Sequence, residues 1–189
     1  MSNRRKDSFR GKGSQGTSSL RPTTSKVRSA IFSMLSPAGP MGMRVLDIYA
    51  GTGALGIEAL QRGAKETVFI EQNSRRCDDI KKSLERYKLA IQGSVQRGSA
   101  LQVVNRLYGQ FDLIFADPPY ELNEFEELFT RLSNSHLISV DAIVFVEHSK
   151  MTELPNLLPG IYRSTHRIYG DTALSVYRSN SPRVAGEDE

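Results

Sequence analysis

Arg44-Val45-Leu46-Asp47-Ile48-Tyr49-Ala50-Gly51-Thr52-Gly53-Ala54-Leu55-Gly56-Ile57-Glu58-Ala59 runs from a short apolar segment through a glycine-rich turn into a helical pattern. It reads as strand, tight loop, helix. Gly51 and Gly53 can take positive φ or let a ligand approach the backbone, whereas Ala54, Leu55, Ile57, Glu58, Ala59 and Leu60 are mostly good helix formers. A helix that starts beside a bare loop points unpaired N–H groups and the positive end of its dipole into a crevice at the carboxyl edge of a sheet. Open α/β folds bind ligands there, so the stretch predicts a nucleotide-like site.

Gly51, Gly53 and Gly56 have the G-x-G-x-x-G spacing of a dinucleotide-binding loop, and Glu71 follows Gly51 by 20 residues at the end of the next apolar run. Asp47, inside the first strand, argues for a different cofactor, because a carboxylate repels pyrophosphate. It suits a ligand with an ammonium, a sulfonium and ribose hydroxyls, namely S-adenosylmethionine. A plain βα turn with a chance glycine pattern stays open at this point.

Downstream, Asp112-Leu113-Ile114-Phe115-Ala116 reads as a buried strand that ends in Asp117-Pro118-Pro119-Tyr120. Two prolines cannot continue a central strand, so they give a rigid exit at the sheet's carboxyl edge. An exocyclic amine offers two N–H donors. The Asp117 carboxylate and a carbonyl such as that of Pro118 can accept them while Tyr120 stacks on the base. The tetrapeptide therefore reads as an amine-methylating pocket, or, standing alone, as a strand-ending turn with a core tyrosine.

The 189 residues, 39% of them hydrophobic, suffice for one sizeable core. With no apolar run long enough to span a bilayer and a polar, basic start, the chain is expected in the cytoplasm. Cys77 is the single cysteine, and His136, His148 and His166 share no ligand spacing, so no metal is expected. The segment 1–28 holds eight basic residues against the single acid Asp7, more than accounting for the formal net charge of +4 and leaving the rest of the chain net acidic. An anionic polymer is the natural partner of such a segment. Residues 1–19, rich in Ser, Gly, Lys and Arg, are expected to form a flexible basic arm, and 179–189 a disordered tail. Between them a helix is expected over 24–35, then strands at Thr67–Glu71, Ser94–Arg97 and Ala142–Glu147. Helices are expected at Ser74–Tyr87, Ala100–Leu107 and Glu124–Leu132, and a closing hairpin at Tyr162–Ile168 with Ala173–Tyr177. Strands alternating with helices predict a doubly wound, mostly parallel sheet with one antiparallel strand.

Three separate anchors, Leu20 to Arg28 (LRPTTSKVR), Val45 to Leu60 and Asp117 to Tyr120, resemble the bacterial RsmD-like methyltransferases that modify guanine N2 in 16S ribosomal RNA. The resemblance covers 20–177, and the leader carries most of the substrate assignment. It implies a Rossmann-like class I S-adenosylmethionine-dependent methyltransferase fold with a seven-stranded sheet, in one domain over 20–178. It implies a cofactor set of Asp47, Ala50, Gly51, Thr52, Gly53, Glu71, Gln72, Ser99 and Ala100, with Glu71 accepting from the ribose hydroxyls and Ser99 and Ala100 near the adenine. Asp117, Pro118, Pro119 and Tyr120 would form the catalytic motif. Arg21, Thr23, Thr24 and Arg28 would meet ribosomal RNA, within a small-subunit assembly particle. The chain departs from the family pattern at Ser99, where an aspartate is usual, and at Ser25 and Ser29, where acids are usual. An adenine-N6 methyltransferase of DNA or RNA, a non-catalytic RNA-binding protein on the same fold and an NAD-dependent oxidoreductase are the rival readings.

Deleting 1–19 is expected to spare cofactor affinity, weaken RNA binding and flatten its salt dependence, since the lost cations no longer displace counterions. Binding titrations over a salt series check this; an identical salt slope for the full and shortened chains would leave the arm without a binding role.

Overall fold

The computed structural model describes residues 25–118 and 124–179. The arm, Arg21, Thr23, Thr24, Pro119, Tyr120 and the tail from 180 onward therefore lie outside the described residues.

An apolar run buried on both sides belongs in the middle of a parallel sheet. β1 (Arg44–Ile48) is such a run, buried from Val45 onward. It lies between β2 (Glu66–Glu71) and β4 (Phe111–Ala116), parallel to both. With β3 (Gly93–Arg97), β5 (Ile138–Ser149), β6 (Leu157–Leu158), β7 (Ile161–Tyr169) and β8 (Thr172–Ser179), the sheet has the order β3-β2-β1-β4-β5-β8-β7-β6. Chain progression reverses between β1 and β4, which makes their carboxyl ends the switch point where a crevice opens.

Helices cover both faces. α1 (Ser25–Ser33), α2 (Ala54–Gln61) and α3 (Ser74–Arg86) share one apolar cluster with Val45, Phe69, Phe115 and Phe145. α4 (Ala100–Val104) and α5 (Phe125–Asn134) share the other with Leu46, Ile48, Ile114 and Val144. α1 buries Val27, Ile31 and Phe32, and Phe32 meets Phe115 edge-on at 6.1 Å between ring centroids. The Arg28 Nε to Glu58 Oε2 ion pair, 2.9 Å, ties α1 to α2.

Two features differ from the expectation. The sheet has eight strands, because the two-residue β6 pairs antiparallel with β7 through Leu157↔Tyr162 and Leu158↔Ile161. β6 and β8 therefore both run against the parallel set. A dipeptide followed by Pro159-Gly160 has no periodicity to reveal it; only the long-range partner does. β5 also begins earlier, pairing at Phe111↔Ile138 before a register shift beside Asp141, a non-glycine residue at φ 69°. That irregularity hides the strand's first residues from an alternation reading.

Gly56 shows how closely α2 lies on the sheet. A Cβ there would stand 2.3 Å from Phe69 Cε1 and 2.8 Å from Thr67 Cγ2. Glycine inside a helix costs roughly 1 kcal/mol relative to alanine, so Gly56→Ala would stabilise an isolated helix. Here overpacking, roughly 1–3 kcal/mol, outweighs it. Gly56→Ala is expected to lower the urea midpoint, and an unchanged or higher midpoint would show that α2 shifts without strain.

Candidate cofactor and target-amine site

The turn from β1 into α2 places Tyr49 (φ 60°), Gly51 (φ 56°) and Gly53 (φ 73°) in left-handed backbone. Gly53 N–H donates to Ala50 carbonyl at 2.7 Å, closing the turn, while Ala50 N–H donates to Ile70 carbonyl at 2.9 Å, extending the sheet ladder. A Cβ on Gly51 would meet only Tyr49 carbonyl oxygen, at 3.8 Å, so the loop is bare on its outer side. Gly53, as the α2 N-cap, brings no side chain to the helix start. Thr52 is exposed, and Ala50 and Gly51 are half-buried.

Asp47 supplies the missing cap from below. It is 3% exposed, and its Oδ2 accepts from Gly56 N–H at 2.9 Å. Burial pushes its carboxyl up to about 7; the Gly56 N–H opposes the shift and the Glu71 charge adds to it. Glu71, also buried, accepts from Gly51 N–H through Oε2 at 2.9 Å and from Asn73 N–H through Oε1 at 2.7 Å. Its backbone carbonyl accepts from Gly98 N–H at 3.1 Å, so one residue joins the turns that follow β1, β2 and β3. Gln72 is exposed beside it.

Ser99 and Ala100 fall into different environments. Ser99, half-exposed at the α4 N-cap, makes no side-chain capping bond. Ala100 is 2% exposed within the core cluster, so it offers a ligand its backbone rather than its methyl.

The register Ile48↔Ala116 carries β4 out beside the glycine turn, and the Asp117 N–H reaches Ile48 carbonyl at 3.5 Å. Asp117 and Pro118 are half-buried there. The equivalent register Ile48↔Ile70 brings Glu71 up on the other side of β1. The two motifs, 61 positions apart from Gly56 to Asp117 in sequence, thus share one crevice. Arg28 forms an ion pair with Glu58 on α2, an anchoring contact that the leader resemblance did not suggest. Tyr49, which sequence reading passed over, donates its hydroxyl to Glu124 Oε1 at 2.8 Å. The only local signal was a polar-tipped aromatic inside an otherwise apolar run.

A floor of buried Asp47 and Glu71 beneath a bare glycine turn disfavours pyrophosphate and accommodates a ligand presenting positive charge and hydroxyl donors. Residues 9–178 match the family described as Conserved hypothetical protein 95. The chain belongs to that family. It is also 34% identical over 134 residues to ribosomal RNA small subunit methyltransferase D of Haemophilus influenzae, covering 69% of each chain. Among solved structures it is similar to yhhF of Escherichia coli, a candidate methyltransferase, at 28% identity and TM-score 0.76, over 84% of this chain and 88% of that one. The fold alone matches SMU.776, a candidate methyltransferase complexed with SAH, at 13% identity and TM-score 0.63, over 81% of this chain and 48% of that one. The Rossmann-like methyltransferase fold and the membership of the small-subunit methyltransferase D type are therefore established, and the NAD reading is set aside.

Asp47 gives a pH prediction. Its folded-state value lies above its ordinary 3.8, so the stability it contributes is fully present below that value and is lost as pH rises through about 7. Asp47→Asn keeps an acceptor for Gly56 N–H without the titration. Urea unfolding is expected to show the variant gaining on the native chain by about 2–3 kcal/mol between about pH 5 and about pH 8. A pH-independent difference would mean that Asp47 does not titrate in this window.

Proposed function

We propose that this protein transfers a methyl group from S-adenosylmethionine to the exocyclic N2 amine of a guanine in 16S ribosomal RNA, within a small-subunit assembly particle. The observation that carries the reading is the register that sets Asp117-Pro118 beside the glycine turn, with Glu71 on the other flank of β1. Family membership supports the coarser statement, S-adenosylmethionine-dependent methylation of ribosomal RNA. The leader sequence and the amine-methylating tetrapeptide support the finer one.

The residues present fit the cofactor. Glu71 retains lone pairs on both oxygens after accepting from Gly51 and Asn73, enough to receive ribose hydroxyls. The open side of Gly51 admits the ligand against the backbone. Ser99 makes no side-chain capping bond, so in this reading its hydroxyl and the Ala100 backbone are free to meet the adenine. When bound, S-adenosylmethionine supplies an electrophilic methyl group on a sulfonium.

Guanine's amine is a weak nucleophile because its lone pair is delocalised into the ring. Asp117 and the Pro118 carbonyl, accepting its two N–H donors, favour a pyramidal nitrogen and align it with the methyl. The Asp117 charge matters more as positive charge develops on that nitrogen. No strong base is required, since the proton leaves after transfer from a cationic, acidic nitrogen. Tyr120 provides a stacking face for the base, and Arg21, Thr23, Thr24 and the basic arm hold the RNA. Arg28 contributes by fixing α1 through Glu58.

Labelled methyl transfer to undermethylated small-subunit particles, followed by nucleoside digestion, tests the reading. N2-methylguanine is expected, whereas N6-methyladenine would overturn the substrate and no incorporation would overturn the activity. Asp117→Ala is expected to keep cofactor affinity while turnover falls by about 10²- to 10³-fold, as when one preorganised hydrogen-bonding group is removed. Asp117→Asn should be milder, because its amide oxygen still accepts one N–H. Near-normal single-turnover methylation by folded Asp117→Ala would defeat the assignment.

A further inference from the structure

The end of β1 holds the segment that leaves β4 at both of its described ends. At the near end, Ile48 carbonyl accepts from Asp117 N–H at 3.5 Å. At the far end, the Tyr49 hydroxyl donates to Glu124 Oε1 at 2.8 Å, across 75 residues of sequence. Adjacent residues at one strand end therefore bind both Asp117, where β4 ends, and Glu124, where α5 starts.

Four further observations set this hydrogen bond apart from a surface contact. Tyr49 adopts φ 60°, a conformation that a large side chain rarely takes and keeps only when its surroundings fix it. Its ring packs against the apolar cluster formed by α4, α5 and the sheet, so the hydroxyl is delivered from a braced position. Glu124 is the N-cap residue of α5, yet its side chain makes no capping bond to its own helix and turns to Tyr49 instead. Burial and the Glu124 partner both push the Tyr49 phenol above its ordinary range, so the hydroxyl keeps its proton and remains the donor.

We infer that Tyr49 is a positioning residue. Its hydrogen bond to Glu124 fixes the start of α5 to the same strand end that binds Asp117 N–H, and so helps set where Asp117 stands relative to Gly51–Gly53. Tyr49 directly precedes Ala50 and Gly51, and the same turn forms the cofactor cradle; the cradle and the target-amine residue thus share one mechanical support. A misplaced Asp117 spoils in-line alignment without disturbing the Glu71 contacts, which run through Gly51 and Asn73 rather than through the Tyr49 ring. The role in methyl transfer rests on the function proposed above; the mechanical role does not.

Two readouts on the full chain separate these. In hydrogen exchange, Tyr49→Phe and Glu124→Ala are expected to speed exchange in peptides covering Ala116–Pro118 and the first turn of α5, where Leu128 N–H donates to Glu124 carbonyl. Glu124→Gln, which keeps a carbonyl acceptor, should remain close to the native chain. Unchanged exchange in folded Tyr49→Phe would overturn the inference. In single-turnover methylation of undermethylated particles at saturating cofactor, Tyr49→Phe and Glu124→Ala should each slow transfer about tenfold, the lower end for losing a hydrogen bond to a charged group. Glu124→Gln should recover most of that rate, and the double variant should be no slower than the slower single one, because both remove the same bond. Cofactor dissociation constants should stay within about twofold; a parallel loss of cofactor affinity would mean that Tyr49 acts through the cradle and would overturn the positioning role. Native protein that methylates no guanine would refute the proposed function, leaving the exchange result to decide the latch.

Discussion

A single buried hydrogen bond, Asp47 Oδ2 to Gly56 N–H at 2.9 Å, underlies the geometry of the site. It sets the start of α2 directly over the carboxyl end of β1. It works only because Gly56 lacks a side chain and lets the helix approach Phe69 and Thr67. The two requirements reinforce each other: without the close approach the carboxylate has no donor, and without the acceptor a helix start capped by a bare Gly53 leaves an N–H unsatisfied. A neutral or half-ionised Asp47 is the electrostatic consequence, since burial there is nearly complete and Glu71 is close enough to raise it further.

Charge is divided between the two ends of the function. The crevice floor is acidic, with Asp47 and Glu71 buried and Asp117 at the rim. Cations are concentrated in the first 28 residues, which hold eight of them against one acid. That separation suits the proposed function, in which a polyanion meets the basic segment rather than the acidic crevice.

Much of this was readable from residues because its causes are local. β1, β2 and β4 are apolar runs ended by Gly, Gln-Asn or Pro-Pro, and α1 shows Val27 and Ile31 one turn apart on the face that is buried. The glycine turn was legible for the same reason, since its glycines are required by backbone conformation at Gly51 and Gly53 and by packing at Gly56. What escaped depends on partners distant in sequence. β6 is two residues long and exists through β7; the early part of β5 is masked by an irregular Asp141; α4 stops at Val104 although apolar residues continue to Leu107. Arg28 reads as an RNA ligand in a basic leader, and only the fold reveals Glu58 beside it. Ala100 reads as an adenine contact, and only the fold shows its methyl facing the core.

Tyr49 is the case in which local and global preferences conflict. Propensity alone places an aromatic residue after Ile48 in extended backbone, as one more strand residue. The turn into α2 instead demands a left-handed residue at this point, which glycine would satisfy with less strain. Glycine would also remove the ring from the apolar cluster and the hydroxyl from Glu124. The local rule is broken at a residue whose ring joins that cluster and whose hydroxyl reaches across to α5. The strain at Tyr49 is thereby offset by ring packing and by a hydrogen bond that ties the end of β1 to the start of α5.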